Sequence, residues 1–239
     1  MAINMRGMAE NLHALIVAMA LFIGMHIVPA AVPVRRALVG MLSERGYLAA
    51  YSLLSIALLA WVVQAYKAAP HVEVLVPNIG MRHASLTLML IASFLIVCGF
   101  VGRNPSTVPG AQLGWKPEAT GVFKITRHPV MWGVAIWGTS HALANGHGAA
   151  LVLFGGMALL AILGAWHLDR RKREALGDEW RAFEAETSFV PLMAIAAGRT
   201  RMERGDIPGW QTLTAIAVYM LMLFAHARLG RDVFPIGFF

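Results

Sequence analysis

The chain has 239 residues, of which 58% are hydrophobic and 14% are charged. Soluble globular domains are about a quarter charged, so this composition leaves too little polar surface for a soluble particle and excludes that class. Lys and Arg outnumber Asp and Glu by 20 to 13, which gives a formal net charge of +7. Basic residues of membrane proteins gather in cytoplasmic loops, so this charge requires no nucleic-acid partner and we expect none.

Six apolar segments are predicted to cross a membrane, for which about 20 residues are needed. They lie at about 11–34, 47–66, 84–102, 129–144, 149–167 and 210–227. The fourth and fifth come from one stretch between Arg127 and Asp169 that contains no Asp, Glu, Lys or Arg. The stretch is too long for one helix, and Asn145-Gly146-His147-Gly148 divides it as a short hairpin. The predicted fold is all-α, a polytopic transmembrane bundle in a single domain of residues 1–239.

Basic residues are distributed unequally between the two predicted sides of the membrane. The N-terminus, second loop, fourth loop and C-terminus carry Arg6, Lys67, Arg82, Arg228 and Arg231. The other side carries Arg35, Arg36, Arg45, Arg103, Lys116, Lys124, Arg127, Arg170, Arg171, Lys172, Arg173, Arg181, Arg199, Arg201 and Arg204. The positive-inside rule places the second set in the cytoplasm. Both termini are therefore predicted to be periplasmic, and the basic segment Arg35–Gly46 is predicted to be a cytoplasmic loop.

The first 31 residues allow an alternative interpretation as a cleaved signal peptide. Arg6 would belong to its charged region and Pro29-Ala30-Ala31 would be the cleavage site. Glu10 and the length of the apolar stretch favour a retained membrane span instead. We therefore expect the first segment to remain part of the bundle.

The polar segment after the fifth span predicts an amphipathic helix. Leu176, Trp180 and Phe183 recur at helical spacing, directly after the basic run Arg170–Arg173. A helix of this kind lies on a membrane surface, and the basic run would hold it at an anionic leaflet. We therefore predict a cytoplasmic amphipathic helix that lies on membrane lipid and ends at Ser188-Phe189-Val190-Pro191.

Histidines are the main ionisable residues of the predicted spans, where such residues are candidates for function. His26 lies in the first span and His141 in the fourth, and neither span contains Asp or Glu, which disfavours a proton relay. A neutral imidazole among apolar side chains suits a haem iron. An interhelical hydrogen bond is the alternative role for each histidine. No Cys-x-x-Cys-His motif occurs, which excludes covalent c-type attachment.

A second candidate site begins at Thr126-Arg127-His128-Pro129. Pro129 suits the first turn of a helix, where free backbone N–H groups beside Arg127 make a potential anion site. The alternative is a plain helix start with an arginine that binds lipid headgroups.

Several motifs resemble the NnrU family of bacterial membrane proteins. The most specific are Ile125-Thr126-Arg127-His128-Pro129, Trp132-Gly133, Trp137, His141-Ala142-Leu143-Ala144-Asn145-Gly146 and Leu153-Phe154-Gly155. The segments 21–26, 177–191 and 194–199 and Arg35 fit as well, so the resemblance covers nearly the whole chain. It implies a bacterial inner-membrane protein linked to nitrite and nitric-oxide metabolism in denitrification, with a respiratory or denitrification protein as a partner.

The NnrU family is related to the plant 15-cis-zeta-carotene isomerases, which are membrane proteins that use haem b. This relation implies haem b as the cofactor, His26 and His141 as the axial ligands, and isomerisation of an apolar polyene as an activity. The cysteine that precedes the second histidine by three residues in that isomerase is Gly138 here. In the predicted topology His26 and His141 differ in depth by roughly 15 Å. His83 matches His141 better in depth and is the reserve ligand.

The segment around Arg127, His128 and Pro129 also resembles isoprenylcysteine and phospholipid methyltransferases. That resemblance implies S-adenosylmethionine as cofactor, faced by Arg127, His128 and Glu174. Together with Asn145 of the NnrU-like motif, Arg127 and His128 are the candidate cofactor-binding residues. A third hypothesis is a non-enzymatic assembly or sensing partner of a respiratory enzyme, which would dock through Arg170–Arg173 and the predicted surface helix.

Overall fold

A computed structural model describes residues 5–101, 104 and 117–229 of the chain. Within these residues there are eight α-helices and a short 3₁₀ helix, Gly121–Lys124. The α-helices are α1 Met5–Ile27, α2 Val32–Ala68, α3 Ile79–Val101, α4 Pro129–Asn145, α5 Gly148–Leu176, α6 Asp178–Glu186, α7 Met193–Ala196 and α8 Gly209–Arg228. The predicted all-α class is confirmed. The predicted end of the third span at Gly102, and the basic residues Arg103, Lys116 and Arg231, lie outside the described residues.

Four described helices have the length and apolar composition to cross a membrane, namely α2, α3, α5 and α8. The apolar part of α1, Asn11–Ile27, is shorter, and α4 has 17 residues where a span needs roughly 20. The chain is therefore a multi-pass membrane protein, as predicted. The count of six spans stays a prediction.

The centre of the bundle is α4, which packs on α3 and on α5. Ser85 of α3 and Ser140 of α4 join two of these helices, because each hydroxyl donates to the other residue's carbonyl oxygen, at 2.8 and 2.9 Å. The helix α1 packs on α2 and α5, whereas α8 packs on α3. This arrangement leaves α8 at the edge of the bundle.

The predicted hairpin between α4 and α5 is confirmed at the predicted residues. Gly146 ends α4 with φ +68°, and its carbonyl accepts hydrogen bonds from the N–H groups of Val74 and Leu75. A Cβ at Gly146 would lie 1.9 Å from the Leu75 carbonyl oxygen, so only glycine fits. In return, the N–H of Gly148 donates to the Val72 carbonyl at 2.8 Å. The loop between α2 and α3 therefore shares one end of the bundle with this hairpin, as the predicted topology requires.

The prediction that the first span ends at residue 34 and is followed by a basic loop at Arg35–Gly46 is wrong. The helix α1 ends at Ile27, and α2 begins at Val32 and continues through the basic segment. Pro33 stands in the first turn of α2, where a missing N–H breaks no hydrogen bond. Ser43, with φ 64° and ψ 166°, kinks α2. The basic residues before the kink therefore lie on a helical segment and not in a loop.

The predicted amphipathic helix exists, but its bounds and its surroundings differ from the prediction. Leu176 still belongs to α5, and Gly177, with φ 56°, separates α5 from α6. Trp180 and Phe183 are 0% and 2% exposed. They are buried in a cluster with Leu95, Cys98, Val122 and Phe123. The apolar face of α6 therefore packs on protein and not on lipid.

Candidate functional site

Two cavities lie at opposite ends of the bundle. The larger, which we name the hairpin-end cavity, has a volume of about 670 Å³ and includes His141, His147 and His226 in its lining. The smaller, which we name the basic-end cavity, has a volume of about 300 Å³ and includes His26 and Arg171. The first is lined by the end of α4 and the start of α5, and the second by the start of α4 and the later turns of α5. The two cavities are therefore separated along the length of these helices.

His141 of α4 and His226 of α8 lie side by side in the hairpin-end cavity. Their ring centroids are 6.1 Å apart, and the rings are inclined by 46°. Nδ1 of His141 lies 2.9 Å from the Trp137 carbonyl oxygen, and Nδ1 of His226 lies 2.7 Å from that of Met222. A carbonyl oxygen only accepts, so each Nδ1 donates its proton and the neutral ring keeps its lone pair on Nε2. A histidine that binds a metal usually has its second ring nitrogen bonded in this way.

The rest of this cavity combines apolar walls with polar groups that are already paired. Its apolar lining includes Leu86, Met89, Phe154, Met222 and Leu223. Ser85 and Ser140 also line it, but their hydroxyls are bonded to each other's carbonyls. Asn145, a predicted cofactor-binding residue, lines the cavity and donates from Nδ2 to the His141 carbonyl at 2.8 Å. Nε2 of His141 and Nε2 of His226 therefore lie in a largely apolar cavity.

A second pair of histidines lies at the hairpin side of the same cavity. The rings of His71 and His147 have centroids 4.3 Å apart. Nδ1 of His147 accepts a hydrogen bond from the N–H of Ala150 at 3.2 Å, which caps the first turn of α5. Burial lowers the pKa of His147, and the neighbouring His71 lowers it further. His147 is therefore held in its neutral form, as the capping bond requires.

The other predicted iron ligands lie elsewhere. His26 is half-buried in the basic-end cavity, with its ring 4.4 Å from that of Phe22 and 5.7 Å from that of Tyr51. His83 is exposed and lines neither cavity. The structure therefore brings His141 together with His226, and not with His26 or His83. The signal for His226 was present in the sequence, because it lies near the same predicted membrane depth as His141.

The predicted anion site at the start of α4 is occupied by a carboxylate of the chain itself. Arg127 donates to Asp169 from Nε and Nη2, at 2.7 to 3.0 Å, and Nε2 of His128 lies 2.7 Å from Asp169 Oδ1. Glu184 of α6 lies 3.6 Å from Arg127 Nη2. His128 and Asp169 are 1% and 2% exposed. This cluster joins α4, α5 and α6, and neither Arg127 nor His128 lines either of the two cavities.

Asp169, which lies just after the predicted fifth span, was not among the predicted site residues. Glu174, the other residue expected to face S-adenosylmethionine, is exposed near the end of α5. Two backbone N–H groups at this helix start already donate hydrogen bonds within the chain. That of Arg127 donates to the Ser188 carbonyl, and that of His128 donates to Thr126 Oγ1. A cofactor-binding role for Arg127 and His128 stays a prediction.

Comparison with known proteins identifies the family. The family model described as "NnrU protein" matches residues 14–233. The chain belongs to the NnrU family. Two curated relatives are the chloroplastic 15-cis-zeta-carotene isomerases of Zea mays, 34% identical over 110 residues, and of Arabidopsis thaliana, 32% identical over 110 residues. Each match covers 45% of this chain but only 30% of the relative. No solved structure matches.

The described residues of this NnrU protein limit which metal groups that part of the chain could hold. Among the described residues, no three or more His, Cys, Asp or Glu side chains are grouped so that they could hold a metal ion. A haem iron takes only axial ligands from the protein. A pair of imidazoles such as His141 and His226 therefore fits a haem better than a metal ion held by side chains alone.

Proposed function

We propose that the chain is a haem b membrane protein that isomerises a double bond of an apolar polyene, and that the hairpin-end cavity holds the cofactor. The observation that carries the proposal is the pair of His141 and His226, whose rings lie 6.1 Å apart with Nε2 of each free of the backbone. The names of the two plant relatives support the class of reaction.

The residues of the hairpin-end cavity fit a haem. The macrocycle requires apolar walls and axial nitrogen ligands, and Leu86, Met89 and Phe154 supply part of the wall. The volume of about 670 Å³ lies within the range of about 300–1,000 Å³ that is usual for ligand sites. When bound, the haem would supply the iron centre that assists rotation about the double bond.

The side chains would have separate roles in this function. His141 and His226 would hold the iron, and the carbonyls of Trp137 and Met222 orient their rings. The apolar walls would bind the hydrocarbon of the substrate and exclude water. We propose His226 as the partner of His141 in place of His26, because His226 shares the cavity and His26 does not.

A visible spectrum of the full chain, purified in detergent and supplemented with haem, tests the cofactor. We expect a Soret band that is lost or strongly weakened in His141→Ala and in His226→Ala. The matched control is His83→Ala, because His83 makes the same type of Nδ1 bond, to Ile79, but is exposed. Absence of the band would contradict the proposal. Loss of the band in His26→Ala but not in His226→Ala would favour the pair predicted from the sequence.

The reaction has its own test. The haem-loaded protein is incubated with a cis polyene in liposomes, and the isomers are separated by chromatography. We expect a shift toward the trans isomer that His141→Ala abolishes, and an unchanged isomer ratio with intact haem would contradict the isomerase. The link to nitrite and nitric oxide stays a prediction of the family resemblance, and binding of nitric oxide to the reduced protein would test it.

A further inference from the structure

The basic-end cavity has no role in the proposed function. Its polar lining consists of His26, Tyr51, His167 and Arg171, and it contains no Asp or Glu. The remaining lining is apolar: Ile27, Ala30, Met131, Val134, Met157, Leu160, Ala161, Gly164 and Leu168. The cavity therefore combines hydrocarbon walls with hydrogen-bond donors and a positive charge.

One ring nitrogen of this cavity has no partner within the described part of the chain. Nε2 of His167 is buried and makes no hydrogen bond. Most buried polar side-chain atoms of proteins have a partner, and each exception calls for an explanation. Because the imidazole lines the cavity, a polar headgroup inside it would supply the missing hydrogen bond.

The charge of Arg171 indicates the sign of that headgroup. Arg171 is exposed at the cavity and has no ion pair among the described residues, whose salt bridges use other arginines. The neighbouring Arg170 does not line the cavity, and its guanidinium lies over the ring of Trp166 at 5.1 Å from the centroid. Arg171 is therefore an uncompensated cation beside an apolar cavity, and an anion would complement it.

We propose that the basic-end cavity binds an amphiphile that has an anionic headgroup and a hydrocarbon chain. The headgroup would accept hydrogen bonds from Arg171 and His167, and the chain would lie among Met131, Val134, Met157 and Leu160. This end of the bundle carries most of the basic residues, and the charge bias assigns it to the cytoplasmic leaflet, whose surface is anionic. A free fatty acid and an anionic phospholipid share this chemistry, and the experiment separates them.

Gly164 provides a way to close the cavity without disturbing the helix. It lines the cavity, and a Cβ at this position would meet no atom within 4 Å. A phenylalanine at position 164 would therefore extend into the space where the hydrocarbon chain is expected. A preserved thermal midpoint would show that Gly164→Phe still folds.

Binding of radiolabelled oleate to the full chain in phosphatidylcholine nanodiscs tests the proposal. We expect saturable binding that oleyl alcohol, with the same tail and no charge, does not displace. Loss of a hydrogen bond to a charged group costs about 1.5–3 kcal/mol, so Arg171→Gln should weaken binding about tenfold or more. Gly164→Phe should remove it, and the control Arg170→Gln should change it less than twofold.

The competing outcomes are distinct. If phosphatidylglycerol in the nanodisc displaces oleate, the anionic phospholipid is the natural occupant; if it does not, the occupant is the free acid. Equal displacement by oleyl alcohol, or equal effects of Arg170→Gln and Arg171→Gln, would overturn the proposal. The Soret band should be the same in Arg171→Gln as in the unsubstituted protein, so this result and the haem assignment can fail independently.

Discussion

Gly138 in α4 lies against the main chain of Phe154 in α5, since a Cβ at position 138 would come within 2.5 Å of the Phe154 carbonyl oxygen. Small residues allow this close approach of two membrane helices. The contact lies one turn before His141, whose ring is 4.9 Å from that of Phe154. The packing of these two helices therefore fixes one wall of the hairpin-end cavity.

The first prediction concerns this contact. Gly138→Ala should lower the free energy of unfolding by about 1–3 kcal/mol, which is the usual cost of an overpacked core. The control is Gly155→Ala in α5, because a Cβ there would meet nothing within 4 Å. Equilibrium unfolding in mixed micelles measures both variants. Equal stability of the two would contradict the close approach.

Asp169 is expected to be the most sensitive charged residue at the other end of the bundle. Its removal takes away the carboxylate that the buried Arg127 contacts at 2.7 Å, and breaking a buried pair costs about 3–5 kcal/mol. Asp169→Ala should therefore lower the thermal midpoint strongly and reduce the yield of monodisperse protein. Asp178→Ala is the matched control, since Asp178 is 94% exposed in its pair with Arg181, and it should change stability by about 0.5 kcal/mol or less. A similar loss in both variants would show that the cluster is not stabilising.

The mutual hydrogen bonds of Ser85 and Ser140 give a third prediction. Each single change to alanine removes one bond between α3 and α4, at a cost of about 0.5–1.5 kcal/mol. Thr87→Ala is the control, because its hydroxyl bonds to His83 within α3 and joins no second helix. Unfolding measurements on both single variants and the double variant check this, and a serine variant no less stable than the Thr87 control would contradict it.

The capping bond of His147 predicts a dependence of stability on pH. The folded-state pKa of His147 lies below its ordinary value of 6.5 because of burial and because of His71. On acidification the unfolded chain therefore takes up a proton at a higher pH than the folded chain does. The stabilisation by the capping bond of His147 is complete above pH 6.5 and is lost as the pH falls below 6.5.

Three variants measured by thermal unfolding between pH 8 and pH 5 test this dependence. His147→Asn keeps a capping acceptor without a titrating group, so its midpoint should fall less on acidification than that of the unsubstituted protein. His147→Ala should lose about 1 kcal/mol at pH 8 as well, the usual cost of a lost cap. An identical pH slope in His147→Asn and in the unsubstituted chain would show that another group is responsible.

Features determined by local sequence could be predicted. Asn145-Gly146 predicts the hairpin, because a residue in the left-handed conformation ends a helix. The spacing of Trp180 and Phe183 predicts a helix. The basic segment after Pro33 was misassigned because charge indicates a membrane surface but does not separate a loop from a helical turn. The helix itself was only visible in the structure.

Features determined by packing could not be predicted. Asp169 stood in a polar segment, and its contact with Arg127 and His128 depends on α5 continuing beyond the predicted span. His226 lies in the predicted last span, but its position beside His141 depends on α8 packing against α3. The family resemblance implies His26 instead, which the structure places in the other cavity.

The position of α8 has a consequence for how the site responds to its surroundings. This helix packs on α3, and two hydrogen bonds join them, from Ser93 to the Ala215 carbonyl and from Tyr219 to the Leu86 carbonyl. A membrane helix adjusts its tilt when the thickness of the bilayer changes. Because one imidazole of the pair belongs to this peripheral helix, we expect the distance between His141 and His226 to change with the acyl-chain length of the surrounding lipid.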